Sequence, residues 1–107
     1  MENVRVVIAD DDVLLREGIA SLLERSRFDV VGLAGDVHGL IAVVREQVPD
    51  VVVIDVRMPP THTTEGLDAA EMIRAEFPGM GILVLSAHVE VAPALDLLSE
   101  AGALDTF

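Results

Sequence analysis

Carboxylates directly follow two short blocks of apolar residues in this sequence. Asp10, Asp11 and Asp12 come directly after a block rich in Val and Ile, and Asp55 comes directly after another. The hydroxyl of Ser86 follows a third block in the same way. Open parallel sheets bind ligands beyond the carboxyl ends of their strands. If the first and third predicted strands are neighbours, Asp10, Asp11 and Asp55 therefore converge on one crevice.

Converging carboxylates favour particular chemistry. Two unit charges about 5 Å apart repel by roughly 3 kcal/mol at an effective dielectric of about 20, so either one carboxyl takes up a proton or a cation lies between them. Because the available ligands are oxygens, we expect a hard cation such as Mg²⁺ or Mn²⁺. A carboxylate beside such an ion can act as a nucleophile toward phosphorus and form an aspartyl phosphate. The Ser86 hydroxyl can then donate to a phosphoryl oxygen.

Each of these residues also has an ordinary structural interpretation. The acids at 10–12 can cap and solvate the start of a helix. Asp55 can be a turn residue, and Ser86 can be a cap or turn residue. The combination of acids after two strands and a hydroxyl after another favours a functional site over these interpretations.

The three histidines and one loop give weaker evidence of a part in the predicted site. We expect ordinary surface or loop positions for the three histidines, which show no metal-ligand spacing: His38, His62 and His88. Of these, His88 follows Ser86 closely enough to line the rim of the crevice. The turn-rich stretch 58–64 connects the third predicted strand to the next helix. Its position beside Asp55 allows it to shape access to the site.

Four apolar blocks and the periods between them predict the elements that position these residues. Buried strands are predicted over residues 4–9, 29–34, 51–54 and 81–85. Helical stripes are predicted at Leu15, Ile19, Leu22 and Leu23; at Leu40, Ile41, Val44 and Val48; at Leu67, Ala70, Ile73 and Phe77; and at Val91, Leu95 and Leu98. This alternation predicts an α/β fold, a doubly wound parallel sheet with helices on both faces.

Composition limits the class of protein. A chain of 107 residues is naturally one domain. The net charge of −12 argues against binding of DNA or of an anionic membrane by the chain itself. The absence of Cys excludes a disulfide framework, an iron–sulfur cluster and a thiolate zinc site, and it fits a reducing cytosol. We expect a cytoplasmic protein with no secretory signal and no membrane partner.

Four stretches of the sequence resemble the receiver domain of two-component response regulators. They are VVIADDD (6–12), LLREGI (14–19), PDVVVIDVRMP (49–59) and LVLSAH (83–88). The similarity covers essentially the whole chain, and ADDDxxLREG looks most like the subfamily with a LuxR-type helix-turn-helix output domain. The resemblance implies a flavodoxin-like strand order 2-1-3-4-(5). We expect residues 1–107 to be a receiver domain that lacks strand five and helix five, with no output domain present.

The resemblance also implies roles for individual residues. Asp55 accepts a phosphoryl group from a histidine kinase, with Mg²⁺ (or Mn²⁺) as the cofactor. Asp11 and Asp55 hold the ion together with the backbone carbonyl of Arg57, and Asp10 acts through water or more weakly. Ser86 is the switch hydroxyl that turns toward the phosphoryl group. The chain is then a regulatory phospho-acceptor rather than an enzyme.

The sequence departs from the family pattern at its C-terminal end. The family's Lys at the end of strand five, and the aromatic switch residue before it, have no counterpart here, and the chain contains no Lys at all. We therefore expect a fragment of a longer DNA-binding regulator. The apolar fourth strand, left at the edge of the sheet, predicts self-association through that edge or through helix four.

Two other functions remain alternatives. One is a pseudo-receiver that is not phosphorylated and works as an interaction or dimerisation module. The intact set of acids argues against it, whereas the missing Lys and the exposed fourth strand argue for it. The other is a metal-dependent phosphohydrolase of the haloacid dehalogenase type. That class needs a second acid two residues after the nucleophile, and here Arg57 occupies the place.

Overall fold

Strands and helices alternate along the chain. The computed structural model describes residues 3–86. Its elements are β1 (Arg5–Ala9), α1 (Val13–Arg25), β2 (Asp29–Ala34), α2 (Val37–Gln47), β3 (Val51–Asp55), α3 (Glu65–Glu76) and β4 (Gly81–Leu85). The four predicted strands are confirmed, although β1 begins one residue later and β3 extends one residue further than predicted. The predicted helix four and His88 lie outside the described residues.

The strands form one parallel sheet in the order β2-β1-β3-β4, which confirms the predicted winding. β1 lies inside the sheet, paired with β2 on one side and with β3 on the other. Parallel pairing brings the carboxyl ends of all four strands to the same end of the sheet. The residues that follow β1, β3 and β4 are therefore neighbours there, although they are far apart in sequence.

The two faces of the sheet have separate apolar cores, because successive side chains of a strand point to opposite faces. Val7 and Ile54 belong to the core formed with α2 and α3, which also contains buried Leu40 and Ile73. The core on the other face, formed with α1, consists of Val6, Ile8, Ala20 and Val53, with half-buried side chains packed around it. β1 and β3 are thus held from both faces, which fixes the loops that follow them.

The predicted helical stripes are correct at some positions and wrong at others. On α1 the buried residue is Ala20, whereas Leu15 and Leu22 are 40% and 56% exposed. On α3 the buried residues include Ala69, which the stripe omits, while Leu67 is 44% exposed. Small side chains allow a helix to lie close to the sheet, so the contact face is centred on alanines and the leucines lie beside it.

The predicted stripe of α2 is also one residue too long. Leu40 and Val44 are buried as expected. Val48, however, lies after the last helical residue in a left-handed conformation, with φ of 43°. Its side chain is exposed because the chain turns away from the core before Pro49.

Gly66 fixes the distance between α3 and the end of β3. A Cβ at this position would lie 2.0 Å from the backbone oxygen of Asp55 and 2.8 Å from its carbonyl carbon. The Gly66 amide also donates to the backbone oxygen of Val56 at 2.9 Å. The first turn of α3 therefore lies directly against the strand end that carries Asp55, and only glycine allows this approach.

We expect Gly66→Ala to lower the free energy of unfolding by about 2 kcal/mol, because α3 must shift away from β3. The matched control is Gly18→Ala in α1, where an added Cβ has no neighbour within 4 Å. That variant should gain about 0.5 to 1 kcal/mol from helix propensity. Urea unfolding of both variants checks the expectation, and a Gly66→Ala variant as stable as the parent contradicts it.

Candidate functional site

Three carboxylates lie together where β1 and β3 end. One oxygen each from Asp10, Asp11 and Asp55 lies within 4.8 Å of the others. Ala9 pairs with Ile54 in the parallel sheet. The residues that follow them, Asp10 and Asp55, therefore lie side by side at the same end of the sheet. The structure thus brings the three predicted side chains together, and their role as ligands stays a prediction.

Asp10 is the buried member of this acidic cluster, with 5% of its surface exposed. Loss of hydration raises the pKa of its carboxyl, and the charges of Asp11 and Asp12 raise it further. The Asp12 amide, which donates to Oδ1 at 2.9 Å, and the nearby cation of Arg16 act in the opposite direction. The Asp10 amide donates to the Ala34 carbonyl at 3.0 Å, which ties the residue to β2.

Asp11 and Asp12 have different orientations and different partners. Asp12 is the N-cap of α1, since its Oδ1 accepts a hydrogen bond from the Leu15 amide at 3.1 Å. The predicted capping function therefore belongs to Asp12, whereas Asp11 turns its carboxylate into the cluster. About a third (33%) of the Asp11 side chain stays exposed, so the cluster is open to solvent on this side.

Asp55 is the last residue of β3 and is half-buried. Its Oδ1 accepts a hydrogen bond from the Arg57 amide at 3.3 Å, which orients the carboxylate over the turn that follows the strand. The structure places Arg57 in that turn with an exposed side chain. The role of its backbone carbonyl as a metal ligand stays a prediction.

Ser86 lies at the same end of the sheet as the acids. It directly follows Leu85, the residue that pairs with Asp55 in the ladder between β3 and β4. The ladder continues through the Val56 amide, which donates to the Leu85 carbonyl at 2.8 Å. Ser86 is half-buried, and its role as a switch hydroxyl stays a prediction.

A histidine of the loop between β3 and α3 also reaches the acidic cluster, which the sequence analysis missed. His62 Nε2 lies 2.8 Å from Asp11 Oδ2. Residues 62 and 11 are far apart in sequence and show no ligand spacing, so the pattern alone predicted a surface position. The only available indication was that the loop follows Asp55 directly.

This loop is held in shape by Glu65 at the start of α3. Its carboxylate accepts hydrogen bonds from the amides of Thr61 at 2.8 Å and Thr63 at 3.0 Å, and from the Thr61 hydroxyl. The bond from the Thr61 hydroxyl is the main cause that lowers the pKa of Glu65 to about 2. Glu65 is therefore ionised throughout the neutral range, and the loop keeps these contacts there.

The arrangement can hold a divalent cation and offer one carboxylate to an electrophile. The donor set is three carboxylates, the ligand type that hard cations prefer. Asp10 is 5% exposed, and Asp55 as a whole residue is intermediate in burial. No helix within residues 3–86 is both long enough and apolar enough to cross a membrane.

Comparison with known proteins gives the same family from sequence and from structure. The response regulator receiver domain family matches residues 6–107. The transcriptional regulatory protein NarL of Mycobacterium tuberculosis is 36% identical over 107 residues, which covers 95% of this chain and 46% of that protein. A protein-glutamate methylesterase/protein-glutamine glutaminase of Haloarcula marismortui is 39% identical over 109 residues, which covers 99% of this chain and 28% of that protein. The chain thus spans less than half the length of these curated relatives.

Solved structures agree with this assignment. A LuxR-family two-component response regulator from Aurantimonas superposes with a TM-score of 0.75 and 34% identity, covering 95% of this chain and 71% of that chain. The signal receiver domain of NarL from M. tuberculosis gives a TM-score of 0.76 and 34% identity, and the match covers 94% of this chain and 79% of that chain. Because the family model matches residues 6–107 and these relatives are similar over most of the chain, this chain belongs to the receiver domain family of two-component response regulators.

Proposed function

We propose that this receiver domain accepts a phosphoryl group on Asp55 from a sensor histidine kinase, in a cytoplasmic reaction that requires Mg²⁺ or Mn²⁺. Residues 1–107 would be a receiver domain, and its phosphorylation would control a DNA-binding output domain. The observation that carries the proposal is the acidic cluster, in which three carboxylate oxygens lie within 4.8 Å of one another.

Electrostatics supports the need for a cation. Because the oxygens lie within 4.8 Å of one another, each pair of ionised carboxylates repels by at least about 3 kcal/mol at an effective dielectric of about 20. Burial adds to this cost at Asp10, and the whole chain carries a net charge of −12. A divalent cation, when bound, would offset the charge of the carboxylates and of the incoming phosphoryl group. Asp10, Asp11, Asp55 and the Arg57 carbonyl are the groups that would hold it.

The chemistry proposed at Asp55 is the attack of a carboxylate oxygen on phosphorus. A carboxylate oxygen of Asp55 forms a bond to phosphorus while the bond from phosphorus to the kinase histidine breaks, and the departing imidazole takes up a proton. The Arg57 amide, 3.3 Å from Oδ1, keeps the carboxylate oriented for this attack. Ser86 would donate its hydroxyl to an oxygen of the new phosphoryl group. The added charge of about −1.5 to −2 would then bias the neighbouring loops toward a second conformation.

We also propose that the chain associates with a second copy of itself through the edge of β4 or through helix four. Within residues 3–86, β4 pairs with β3 on one side and ends the sheet on the other. Such an edge offers backbone donors and acceptors to a second chain. Association through helix four, the alternative surface, concerns residues outside the described part of the chain.

We expect acetyl phosphate to add one phosphoryl group to the folded chain when Mg²⁺ is present. Intact-mass spectrometry should show no adduct for Asp55→Asn or after chelation of the cation. Asp68→Asn is the matched control, because it removes the same charge from an exposed helix position, and it should be modified like the parent. An adduct on Asp55→Asn contradicts the assignment of the acceptor. No adduct on the folded parent would favour the pseudo-receiver.

We expect Asp10→Asn to stabilise the metal-free chain at neutral pH by about 1 kcal/mol, because it removes a buried charge from the acidic cluster. The pKa of Asp10 is raised in the folded state, so its ionised form costs stability above the ordinary value of 3.8. The advantage of the variant should therefore shrink as the pH falls through the raised pKa, and disappear below 3.8.

Saturating Mg²⁺ should make the parent more stable than Asp10→Asn. The reason is that binding of the ion raises the free energy of unfolding of the parent more than that of the variant. Urea unfolding with and without Mg²⁺ measures both effects, with Asp68→Asn again as the control for net charge. A metal-free Asp10→Asn variant that is less stable than the parent at neutral pH would show that the buried carboxylate is not a cost to the fold.

A further inference from the structure

His62 contacts the acidic cluster from its rim. Its Nε2 lies 2.8 Å from Asp11 Oδ2, and half (49%) of its side chain is exposed. Within residues 3–86, the metal-ligating side-chain atoms that lie within 4.8 Å of one another belong to Asp10, Asp11 and Asp55, and the imidazole is not among them. His62 can therefore act on a bound cation only through Asp11, by fixing the position of that carboxylate.

Each carboxylate of the cluster accepts a hydrogen bond, but the donors differ. The backbone amide two residues further along the chain donates to Asp10 at 2.9 Å and to Asp55 at 3.3 Å. For Asp11 the donor is Nε2 of His62, which is 51 residues away in the chain. An ionised carboxylate only accepts hydrogen bonds, so Nε2 carries the proton of this bond. Asp11 thus receives from a distant loop the support that the other two acids receive from their own turns.

Asp11 is the carboxylate that needs this support most. Asp10 is 5% exposed, whereas 33% of the Asp11 side chain is exposed and free to turn toward solvent. Repulsion from the other two carboxylates favours such a rotation. In the conformation that makes the bond to His62, an oxygen of Asp11 lies within 4.8 Å of an oxygen of each of the other two acids. The bond therefore stabilises the orientation in which the three acids can share one ion.

The loop around His62 is held in place. The His62 amide donates to the carbonyl of Met58, a fully buried residue, at 2.9 Å. On either side of it, the amides of Thr61 and Thr63 donate to the Glu65 carboxylate. His62 has φ of 56°, in the left-handed region that histidine enters more readily than most residues. The loop therefore presents the imidazole to the cluster from a fixed backbone.

We propose that His62 is a positioning residue for Asp11. Its Nε2 hydrogen bond to Oδ2 keeps this carboxylate in the cation-binding orientation, and so strengthens binding of Mg²⁺ without contact between the imidazole and the ion. The inference rests on the metal site of the proposed function. Hydrogen-bond partners of ligating groups typically contribute about 10- to 100-fold to metal affinity. Removal of the donor therefore weakens binding of Mg²⁺ and leaves the fold intact, because His62 lies in an exposed loop.

Two amide substitutions separate the hydrogen bond from the rest of the side chain. The amide nitrogen of Gln is as many bonds from the backbone as Nε2, whereas that of Asn corresponds to Nδ1 and is too short to reach Oδ2. Asn also accepts the left-handed φ of 56°. We expect His62→Asn to raise the Kd for Mg²⁺ about tenfold, and His62→Gln to stay within about threefold of the parent. His38→Asn, at an exposed position of α2, is the matched control and should bind Mg²⁺ like the parent.

Amide chemical shifts of the ¹⁵N-labelled chain, followed through a Mg²⁺ titration, give each Kd. Asp11→Asn alone should weaken binding, and addition of His62→Asn should have no further effect, because His62 acts through that carboxylate. In the reaction with acetyl phosphate, His62→Asn should raise the Mg²⁺ concentration needed for the half-maximal rate and leave the rate at saturating Mg²⁺ unchanged. Urea unfolding without Mg²⁺ should give the same midpoint for the parent and for both His62 variants.

The outcomes that overturn the inference are distinct from those that overturn the proposed function. The inference fails if His62→Asn binds Mg²⁺ as tightly as the parent, or if His62→Gln and His62→Asn weaken binding equally. It also fails if His62→Asn binds Mg²⁺ more tightly, since His62 would then compete with the ion for Asp11. If Asp11→Asn binds Mg²⁺ as tightly as the parent, the metal site of the proposed function is itself wrong.

Discussion

Repulsion between three carboxylates is the constraint on which the rest of this structure depends. Asp10, Asp11 and Asp55 approach within 4.8 Å of one another although they come from two strands of a chain with a net charge of −12. Such an arrangement persists only if the surrounding fold enforces it or a cation compensates for it. The pairing of β1 with β3 supplies the enforcement, and the oxygen-rich donor set is suited to the cation.

The two apolar cores hold β1 and β3 in place and so keep the three carboxylates together. β1 and β3 contribute buried side chains to both faces of the sheet, so neither strand can move without disturbing two sets of contacts. Gly66 adds a second restraint, because α3 lies against the backbone of Asp55 with no room for a Cβ. The acidic cluster thus follows two strands that are packed on both faces, whereas the loop that carries His62 is anchored by hydrogen bonds to Glu65.

The strands and the three acids could be predicted from sequence because each depends on a short local pattern, whereas the strand order was implied by the resemblance to the receiver family. Val-rich blocks define buried parallel strands, and the rules of winding then bring the residues that follow them together. The exposed faces of the helices could not be predicted, since Leu22 and Leu67 have the spacing of core residues but lie beside the small residues Ala20 and Ala69. His62 was missed for a similar reason, because its contact with Asp11 depends on how a loop folds back, and no periodicity encodes that.

The most direct test of this account is a Mg²⁺ titration of the ¹⁵N-labelled chain followed by NMR. If the acidic cluster is the cation site, saturable chemical-shift changes should be confined to the amides of residues 10–12, 55–57 and the loop that follows β3. The same titration of Asp11→Asn should leave these amides nearly unchanged. Non-saturating changes spread over the exposed acids of the helices, such as Glu71 and Glu76, would contradict the account. They would show that the ion only screens the net charge of the chain.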